Sequence, residues 1–168
     1  MALNGYLRLK GQKQGQIKGS VLQKTREDSI MVIALSHSIV SPRDAASGLP
    51  TGKRMHKPLV ITKEVDKSSP ILYNMLTNNE NITTWELQFF TPQLDAKRGT
   101  GGEVQHYTVK LENANIASID FRMANNKHPD LMKFELYEEI AFTYEKIIWT
   151  WKDGGIEHED SWMNPINA

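Results

Sequence analysis

Residues 57–82, KPLVITKEVDKSSPILYNMLTNNENI, contain both kinds of regular element that the sequence predicts for this protein. The segment LVITK is rich in the β-branched residues that favour strands. After it, four apolar residues recur at helical spacing: Ile71, Leu72, Met75 and Leu76. Ser68 or Ser69 is suited to cap this segment, and Pro70 stands at the first helical position, where its missing N–H costs no hydrogen bond. The stretch predicts a strand followed by one short amphipathic helix.

Outside the helix, the dominant pattern is alternation of apolar and polar residues, which is typical of strands with one face on a core. It occurs in five segments: 3–11, 29–40, 84–91, 104–121 and 133–151. In SIMVIALSHSIV (29–40), the pattern predicts an inward face made of Met31, Ile33, Leu35 and Ile39. The opposite face is predicted to carry Val32, Ala34, Ser36 and Ser38.

These short strands, separated by Gly, Asn and Pro turns, predict a mainly β fold. We expect an antiparallel β-barrel or sandwich of short strands, with one short amphipathic α-helix packed on its side. The length of 168 residues suits a single domain, residues 1–168. Residues 41–58 are punctuated by Pro and Gly and are predicted to form a long exposed loop.

The composition is that of an ordinary folded domain, with 39% hydrophobic and 24% charged residues. Basic and acidic side chains cancel, and a chain without a basic excess is a poor candidate for binding nucleic acid. The absence of cysteine excludes disulfides and thiolate chemistry. The N-terminal residues lack the apolar core of a signal peptide, and no run approaches the roughly 20 apolar residues of a membrane span. We expect a protein that is made in the cytoplasm without membrane insertion, and export by a dedicated machine stays open.

Charge is unevenly distributed along this neutral chain. Residues 41–58 carry four basic side chains against the single acidic Asp44: Arg43, Lys53, Arg54 and Lys57. In residues 152–160 the balance reverses, with four acidic side chains and one lysine. Opposite patches on one molecule can be complementary between copies, which indicates self-association. Two solvated loops with chance charge are the alternative interpretation.

The stretch GLPTGKR (48–54) resembles the start of a phosphate-binding loop but lacks its essential features. Such a loop needs four spacer residues between its glycines and a hydroxyl residue after the lysine. Here the spacer is one residue short, and Arg54 replaces the hydroxyl residue. Pro50 also removes one of the N–H donors that would surround a phosphate. We therefore predict no nucleotide binding.

No catalytic or metal-binding pattern is visible, so the sequence predicts no enzyme, no cofactor and no metal site. The five histidines never occur at a ligand spacing, although a zinc site assembled from distant parts of the chain stays open. Glu138 and Glu139 are adjacent on a predicted strand and point to opposite faces, so they are a poor acid–base pair. We expect both to be solvated strand charges. No GxSxG motif is present to hold a nucleophilic serine.

Residues 57–82 resemble the strand–turn–helix core of the haemolysin-coregulated protein (Hcp) family, the tube proteins of bacterial type VI secretion systems. The similarity extends to LNGYLRLKG (3–11), IALSHSIVS (33–41), TGKRMHKP (51–58) and IIWTWKDGGIEHEDSW (147–162). It covers nearly the whole chain, and the segment ITKEVDKSSP (61–70) is its most specific part.

The resemblance implies a structural subunit and a set of partners. About six copies are expected to form a homohexameric ring, and rings to stack into a tube. A contractile sheath drives the tube out of the cell, tipped by a trimeric spike protein, and small effector proteins travel inside the ring. The protein would thus be secreted through the type VI system without a signal peptide.

Within this frame, two groups of residues are candidate assembly sites. The basic loop supplies the predicted contacts between stacked rings: Lys53, Arg54, His56 and Lys57. Their acidic partners are sought in residues 154–160 of the next ring. Ser36 and Ser38, on the polar face of their strand, are predicted to face the lumen and the effector. The alternative is a monomeric β-barrel module that binds a carbohydrate or peptide on three tryptophans: Trp149, Trp151 and Trp162.

Overall fold

The structure, a computed structural model, describes residues 3–92 and 102–163. Its helix α1 spans Ser69–Thr77, and a single 3-10 turn in this part of the chain spans Asp153–Gly155. The strands are β1 Gly5–Gly11, β2 Gly15–Ile17, β3 Ile30–Val32, β4 Ala34–Ser36, β5 Ile39–Val40, β6 Met55–His56, β7 Leu59–Glu64, β8 Ile82–Pro92, β9 Glu103–Glu112, β10 Asn115–Arg122, β11 Tyr137–Thr143, β12 Lys146–Trp151 and β13 Ile156–Ser161.

The strands form two main sheets, and every strand pairing is antiparallel. The seven-stranded sheet has the order β13-β12-β9-β8-β1-β2. Its seventh strand, β3, pairs with residues 5–7 of β1, whereas β2 pairs with residues 9–11. The four-stranded sheet has the order β10-β11-β7-β4, and β5 and β6 form a separate ribbon. The mainly β fold with one short helix is therefore confirmed. Within the described residues the two sheets do not close into one barrel, so the architecture is a sandwich.

The core lies between the two sheets, where the alternating side chains of each sheet meet. In the seven-stranded sheet, Leu7 pairs with Leu87 and Leu87 with Val109, and all three are buried. Trp85 of this sheet meets Phe142 of the other sheet edge to face, with ring centroids 5.5 Å apart. Such apolar contacts stabilise the sandwich by removing both inner faces from water.

The prediction for residues 29–40 is wrong in part, because this segment belongs to both sheets. Its first part pairs with β1 and its second part with β7. The side chains buried in the first part are Ile30 and Val32, whereas Ile33 is 46% exposed. The chain changes sheets at Ile33, whose N–H donates to the carbonyl of Thr62 at 2.9 Å. A change of sheet resets the alternation, which a single continuous pattern does not reveal.

Helix α1 forms where the apolar spacing predicts it. Leu72 and Met75 are buried against the sandwich, and the helix makes its main contact with β10. Ser68 is the residue before the helix, but its hydroxyl donates to Asp66 rather than capping a helical N–H. The helix ends at Thr77 with Asn78 as its C-cap, and Asn79 follows with a φ of 49°, a left-handed conformation that asparagine tolerates.

The turn before α1 holds a buried ionic cluster, which corrects the prediction for Glu138. The Nζ of Lys63 lies 2.8 Å from Oε1 of Glu138 and 3.0 Å from Oδ1 of Asp66. The Oγ of Ser69 donates to the same Glu138 oxygen at 2.6 Å. Glu138 is therefore paired in the core and is not a solvated strand charge, whereas Glu139 is partly exposed. This cluster explains three polar residues of ITKEVDKSSP, namely Lys63, Asp66 and Ser69, because they connect the helix to the four-stranded sheet.

Candidate functional site

The basic loop, residues 41–58, is ordered by its own hydrogen bonds. Oδ1 of Asp44 accepts from the N–H and the hydroxyl of Ser47, at 2.7 and 2.8 Å, and these bonds lower the pKa of Asp44. Gly48 has a φ of 70°, a conformation that glycine adopts without strain. Residues 43–53 are exposed throughout. The loop is therefore a preformed projection from the sandwich.

Arg54 and His56 fasten the root of this loop to β13 of the same chain. The guanidinium of Arg54 donates to both carboxylate oxygens of Asp160. The Nε2 of the buried His56 lies 2.9 Å from Oδ2 of the same carboxylate. The Arg54 bonds, assisted by His56, lower the pKa of Asp160 to about 2. The carboxylate is therefore ionised at neutral pH and holds two side chains of the loop root.

Tyr144, in the turn between β11 and β12, joins His56 to a second histidine. Its hydroxyl oxygen lies 2.8 Å from Nδ1 of His56 and 2.7 Å from Nε2 of His37. Burial, together with the charge of Asp160, raises the pKa of Tyr144, so the hydroxyl keeps its proton. Burial, and then the neighbouring His56, lowers the pKa of His37. The result is a continuous hydrogen-bonded series, Arg54–Asp160–His56–Tyr144–His37, which we name the loop-root chain.

The three C-terminal tryptophans differ in exposure and in their ring neighbours. Trp162 stacks on His56 of the loop-root chain and packs against the core. Trp149 also packs against the core and stacks on His158, with ring planes 6° apart. Trp151 alone among the three is exposed, and it meets His106 edge to face. They do not form one continuous aromatic platform.

The outer face of the four-stranded sheet, opposite the core, is small and polar. Cross-strand partners in antiparallel sheets point to the same side, so the register defines the rows of this face. The first row contains Ser118, Ala141, Val60 and Ser36. The second contains Asp120, Glu139, Thr62 and Ala34. Arg122 of the third row lies 3.5 Å from Glu139. We refer to these rows as the polar face.

The structure divides the candidate residues into separate groups. Lys53 and Lys57 are exposed in the basic loop, whereas Arg54 and His56 bind Asp160 within the chain. The acidic segment that was sought on a neighbouring ring thus supplies the partner of Arg54 in its own subunit. Ser36 is exposed on the polar face. Ser38 is also exposed but lies in the connection between β4 and β5, where its carbonyl accepts from the N–H of Lys57.

Two members of the loop-root chain are missed by the sequence analysis, His37 and Tyr144, whereas Asp160 lies in the acidic segment that was expected to meet the basic loop of a neighbouring ring. No spacing signal links these three residues, because they come from three distant segments that meet only in the folded chain. The polar side chains of SHS (36–38) and the acidic β13 were visible as separate features. Their partners depended on the tertiary structure.

Among residues 3–92 and 102–163, no three His, Asp or Glu side chains are grouped as metal ligands would be. None of the helical segments described is long and apolar enough to cross a membrane.

Comparisons with known proteins agree on one family. The family model described as "Type VI secretion system effector, Hcp" matches residues 6–151. The "Major exported protein" of Pseudomonas aeruginosa strain PAO1 is 38% identical over 175 residues, covering 99% of each chain.

Solved structures give the same result. A variant of the Hcp1 protein from E. coli EAEC 042 is 36% identical with a TM-score of 0.82, covering 96% of this chain and 99% of that one. The secreted protein Hcp3 from Pseudomonas aeruginosa is 31% identical with a TM-score of 0.74, with the same coverage of both chains. The family match over most of the chain and the full-length relative lead to one conclusion: this chain belongs to the Hcp family of type VI secretion proteins.

Proposed function

We propose that the protein is a structural subunit of the type VI secretion inner tube. In this role about six copies form a ring, and the rings stack into a tube that is expelled when the sheath contracts and that carries small effectors in its lumen. The observation that carries this proposal is the pair of edges of the four-stranded sheet, β4 and β10, which have no further strand partner among the described residues.

The two edges are different strands on opposite sides of one sheet. β10 ends the sheet on one side and β4 on the other. A strand edge presents unpaired N–H and C=O groups that are ready to pair with another chain. If β4 of one subunit meets β10 of the next, the contact is head to tail. Repetition of a head-to-tail contact that closes on itself produces a ring.

Exposed apolar side chains at both edges support this contact. Leu35 on β4 is 39% exposed and Phe121 on β10 is 56% exposed. Leu35 is the cross-strand partner of the buried Ile61, and Phe121 is that of the buried Glu138. Both side chains therefore lie on the core side of the four-stranded sheet. Their exposure shows that the seven-stranded sheet does not cover this side at the edges. Met123, just beyond β10, is 69% exposed. Apolar patches at two complementary edges favour association between copies.

The polar face supports a lumen lining in such a ring. If the four-stranded sheets join edge to edge, this face becomes the continuous surface of one side of the ring. Its small side chains, with Ser36 among them, leave room for a cargo protein. Its mixture of Asp120, Glu139 and Arg122 keeps the surface hydrated. A surface of this kind suits reversible carriage of small effector proteins.

The basic loop supports contacts between rings. It projects as a preformed element, and Lys53 and Lys57 stay available on it. Stacked rings would place these side chains near the next ring, where carboxylates stabilise them. The trimeric spike and the contractile sheath are the further partners of such a tube. Secretion through this machine would require neither a signal peptide nor catalysis by the subunit.

A monomeric module for a carbohydrate or peptide is supported less well. Such a module would use Trp149, Trp151 and Trp162 as one stacking platform. Two of the three pack against the core, and the exposed Trp151 stands apart from Trp162. The tryptophans are therefore better explained as packing residues.

Size-exclusion chromatography with light scattering, followed by electron microscopy, tests the proposal. A ring-former is expected at about six subunit masses and as rings with a central hole. A monomer or dimer over the accessible concentration range would contradict the proposal and favour the binding module.

A further inference from the structure

The loop-root chain connects the basic loop to the sandwich through side chains that all titrate or carry charge. Arg54 and His56 belong to the loop root, and Asp160 and Tyr144 belong to the body of the protein. His37 approaches from the connection between β4 and β5. Among the described residues, the backbone of the root is held by the short β5–β6 ribbon and by the bond from Lys57 N–H to the carbonyl of Ser38. The side chains of Arg54 and His56 connect this root to Asp160 on β13 and to Tyr144.

The partners determine where each proton lies. Because the Asp160 carboxylate only accepts, Nε2 of His56 donates to it. In a neutral imidazole, Nδ1 of His56 is then an acceptor, and it receives the hydroxyl proton of Tyr144. The Tyr144 oxygen in turn accepts from Nε2 of His37. With both imidazoles neutral, every contact of the chain has one donor and one acceptor.

Protons on both imidazoles break this order. A proton on His56 alone is accommodated, because Tyr144 can then donate to Nε2 of a neutral His37. Once His37 is protonated as well, both rings donate toward the Tyr144 oxygen, and the hydroxyl must turn its own proton away from both. Among the described residues, the Tyr144 hydroxyl has no side-chain partner other than the two imidazoles. A buried donor without an acceptor is costly, so the contact between the loop root and the body weakens.

The charges around the two imidazoles add to this effect. Within the described part of the chain, Asp160 is the carboxylate that contacts His56, and Arg54 already neutralises it with two hydrogen bonds. The uncharged rings of Trp149 and Trp162 lie beside His37 and His56 respectively. His158 stacks on Trp149. A second positive charge, on His37, would share the Tyr144 oxygen with a charged His56. Protonation of both rings thus places like charges side by side.

We propose that the loop-root chain is a proton-sensitive clamp: with neutral histidines it holds the basic loop on the sandwich, and acidification releases the loop root. This property belongs to the single subunit and does not require assembly. If rings stack through the basic loop, acid would also weaken the stack, and that consequence rests on the function proposed above.

The direction of the pH effect follows from His37. Burial lowers the pKa of His37 below its value in an open loop, so the open form binds more protons. Closure is therefore most stable above the ordinary histidine pKa of about 6.5 and loses stability as the pH falls below it.

Hydrogen–deuterium exchange of the purified protein tests the clamp. The measured quantity is the protection factor of residues 37–58, corrected for the intrinsic pH dependence of exchange. Between about pH 7.5 and about pH 5.5, we expect protection of this segment to fall by up to about tenfold, because the open form binds more protons than the closed form. Protection of β7 is expected to stay unchanged and reports on global unfolding. Light scattering at both pH values checks that the oligomeric state is the same.

Two variants and a control assign the response. His37→Gln keeps an N–H donor for Tyr144 but does not titrate, so the response should shrink to about threefold or less. Tyr144→Phe removes the central hydroxyl, so the segment should exchange fast at both pH values. His128→Gln removes an exposed histidine that is not part of the loop-root chain, and this variant should keep the full response.

The proposal is overturned if wild-type protection does not change with pH, or if His37→Gln responds as fully as His128→Gln. Should His37→Gln lose β7 protection and prove unfolded, the wild-type series and Tyr144→Phe still decide. Tyr144→Phe with wild-type protection and a full pH response would also overturn the clamp. None of these readouts requires stacked rings, so a failure of the clamp is distinguishable from a failure of the tube proposal.

Discussion

Lys63 shows how a single residue links the sequence to the fold. Its ammonium group is fully buried and contacts Glu138, Asp66 and the Oγ of Ser69. These partners come from β11, from the turn before α1 and from the helix itself. One buried cation therefore fixes the position of the helix on the four-stranded sheet. A buried charge is tolerated only because each of its hydrogen bonds is satisfied.

We predict that Lys63→Met destabilises the protein by about 3–5 kcal/mol, because it leaves the carboxylate of Glu138 buried without its partner. Lys63→Met combined with Glu138→Leu should lose less than the single variant, since no unpaired buried charge remains at that position. The free energy of unfolding is measured by urea titration at one fixed protein concentration, because assembly would otherwise change the apparent value.

Arg122 and Glu139 provide the matched control for this prediction. Arg122 on β10 and Glu139 on β11 form an ion pair across two neighbouring strands of the same sheet, but both side chains are partly exposed. Arg122→Met should change the free energy of unfolding by less than about 1 kcal/mol. Equal effects of Lys63→Met and Arg122→Met would contradict the importance of burial.

At the scale of elements, the basic loop has two parts with different roles. Arg54 and His56 bind Asp160 and hold the root, whereas Lys53 and Lys57 are free to meet another molecule. The sequence presents all four residues as equivalent members of one basic stretch. Their separation matters for experiment, because a change at Arg54 alters the shape of the loop as well as its charge.

We predict that Lys53→Glu with Lys57→Glu impairs ring stacking and leaves ring formation intact, because the loop then repels the carboxylates it is proposed to meet. Stack length is measured in electron micrographs, and ring mass by light scattering. Wild-type stacks should shorten as salt rises, since exposed charges are screened beyond about 10 Å at 0.1 M salt. Added ATP should leave stacking unchanged.

The control for the loop is Lys10→Glu with Lys24→Glu, which makes the same change of charge at exposed sites outside the loop. This variant should stack as the wild type does. If both double variants shorten the stacks equally, net charge rather than the loop controls stacking, and the assignment of the loop is wrong.

The polar face is the second element with a predicted role. Ser36 lies within its first row, so Ser36→Arg should obstruct a cargo protein and lower effector retention by about tenfold. Ser38→Arg tests whether the connection after β4 also faces the cargo. Retention is measured as the amount of co-produced effector that purifies with assembled rings. Thr84→Arg, at an exposed site on the seven-stranded sheet, is the control, and equal retention in all three variants would remove Ser36 and Ser38 from the lumen.

At the scale of the whole molecule, the four-stranded sheet ends, within the described residues, in a different strand on each side, β4 and β10. We predict that Leu35→Lys and Phe121→Lys each prevent ring formation, because each places a charge in the apolar contact between neighbouring edges. Light scattering should then report small species instead of rings. Leu22→Lys, at a side chain that is 89% exposed outside this sheet, should leave rings intact.

A mixture of the two edge variants tests the head-to-tail geometry directly. Leu35→Lys retains an intact β10 edge, and Phe121→Lys retains an intact β4 edge. The mixture should form a dimer through the one intact contact and go no further. Rings recovered from the mixture would contradict an interface built from these two edges.

The sequence predicted the fold most accurately for the elements that pack against a single surface. The spacing of Leu72 and Met75 located the helix, and alternation located the buried sides of β1 and β8. It was least accurate at residues 29–40, because the change of sheet at Ile33 is a tertiary event. Among the candidate site residues, Lys53 and Ser36 are exposed, while His56 is buried in the loop root. Their functional roles stay predictions.

What the sequence by itself determined is local: the strand segments, the helix after Pro70, the Gly-punctuated basic loop and the resemblance to the Hcp family. These features depend on neighbouring residues, whose spacing is fixed by the covalent chain. Only the tertiary structure decided that Lys63 pairs with Glu138 and that Asp160 gathers Arg54 and His56. The physical reason is that buried charges need partners at hydrogen-bond distance, and the folded chain brings those partners from distant segments.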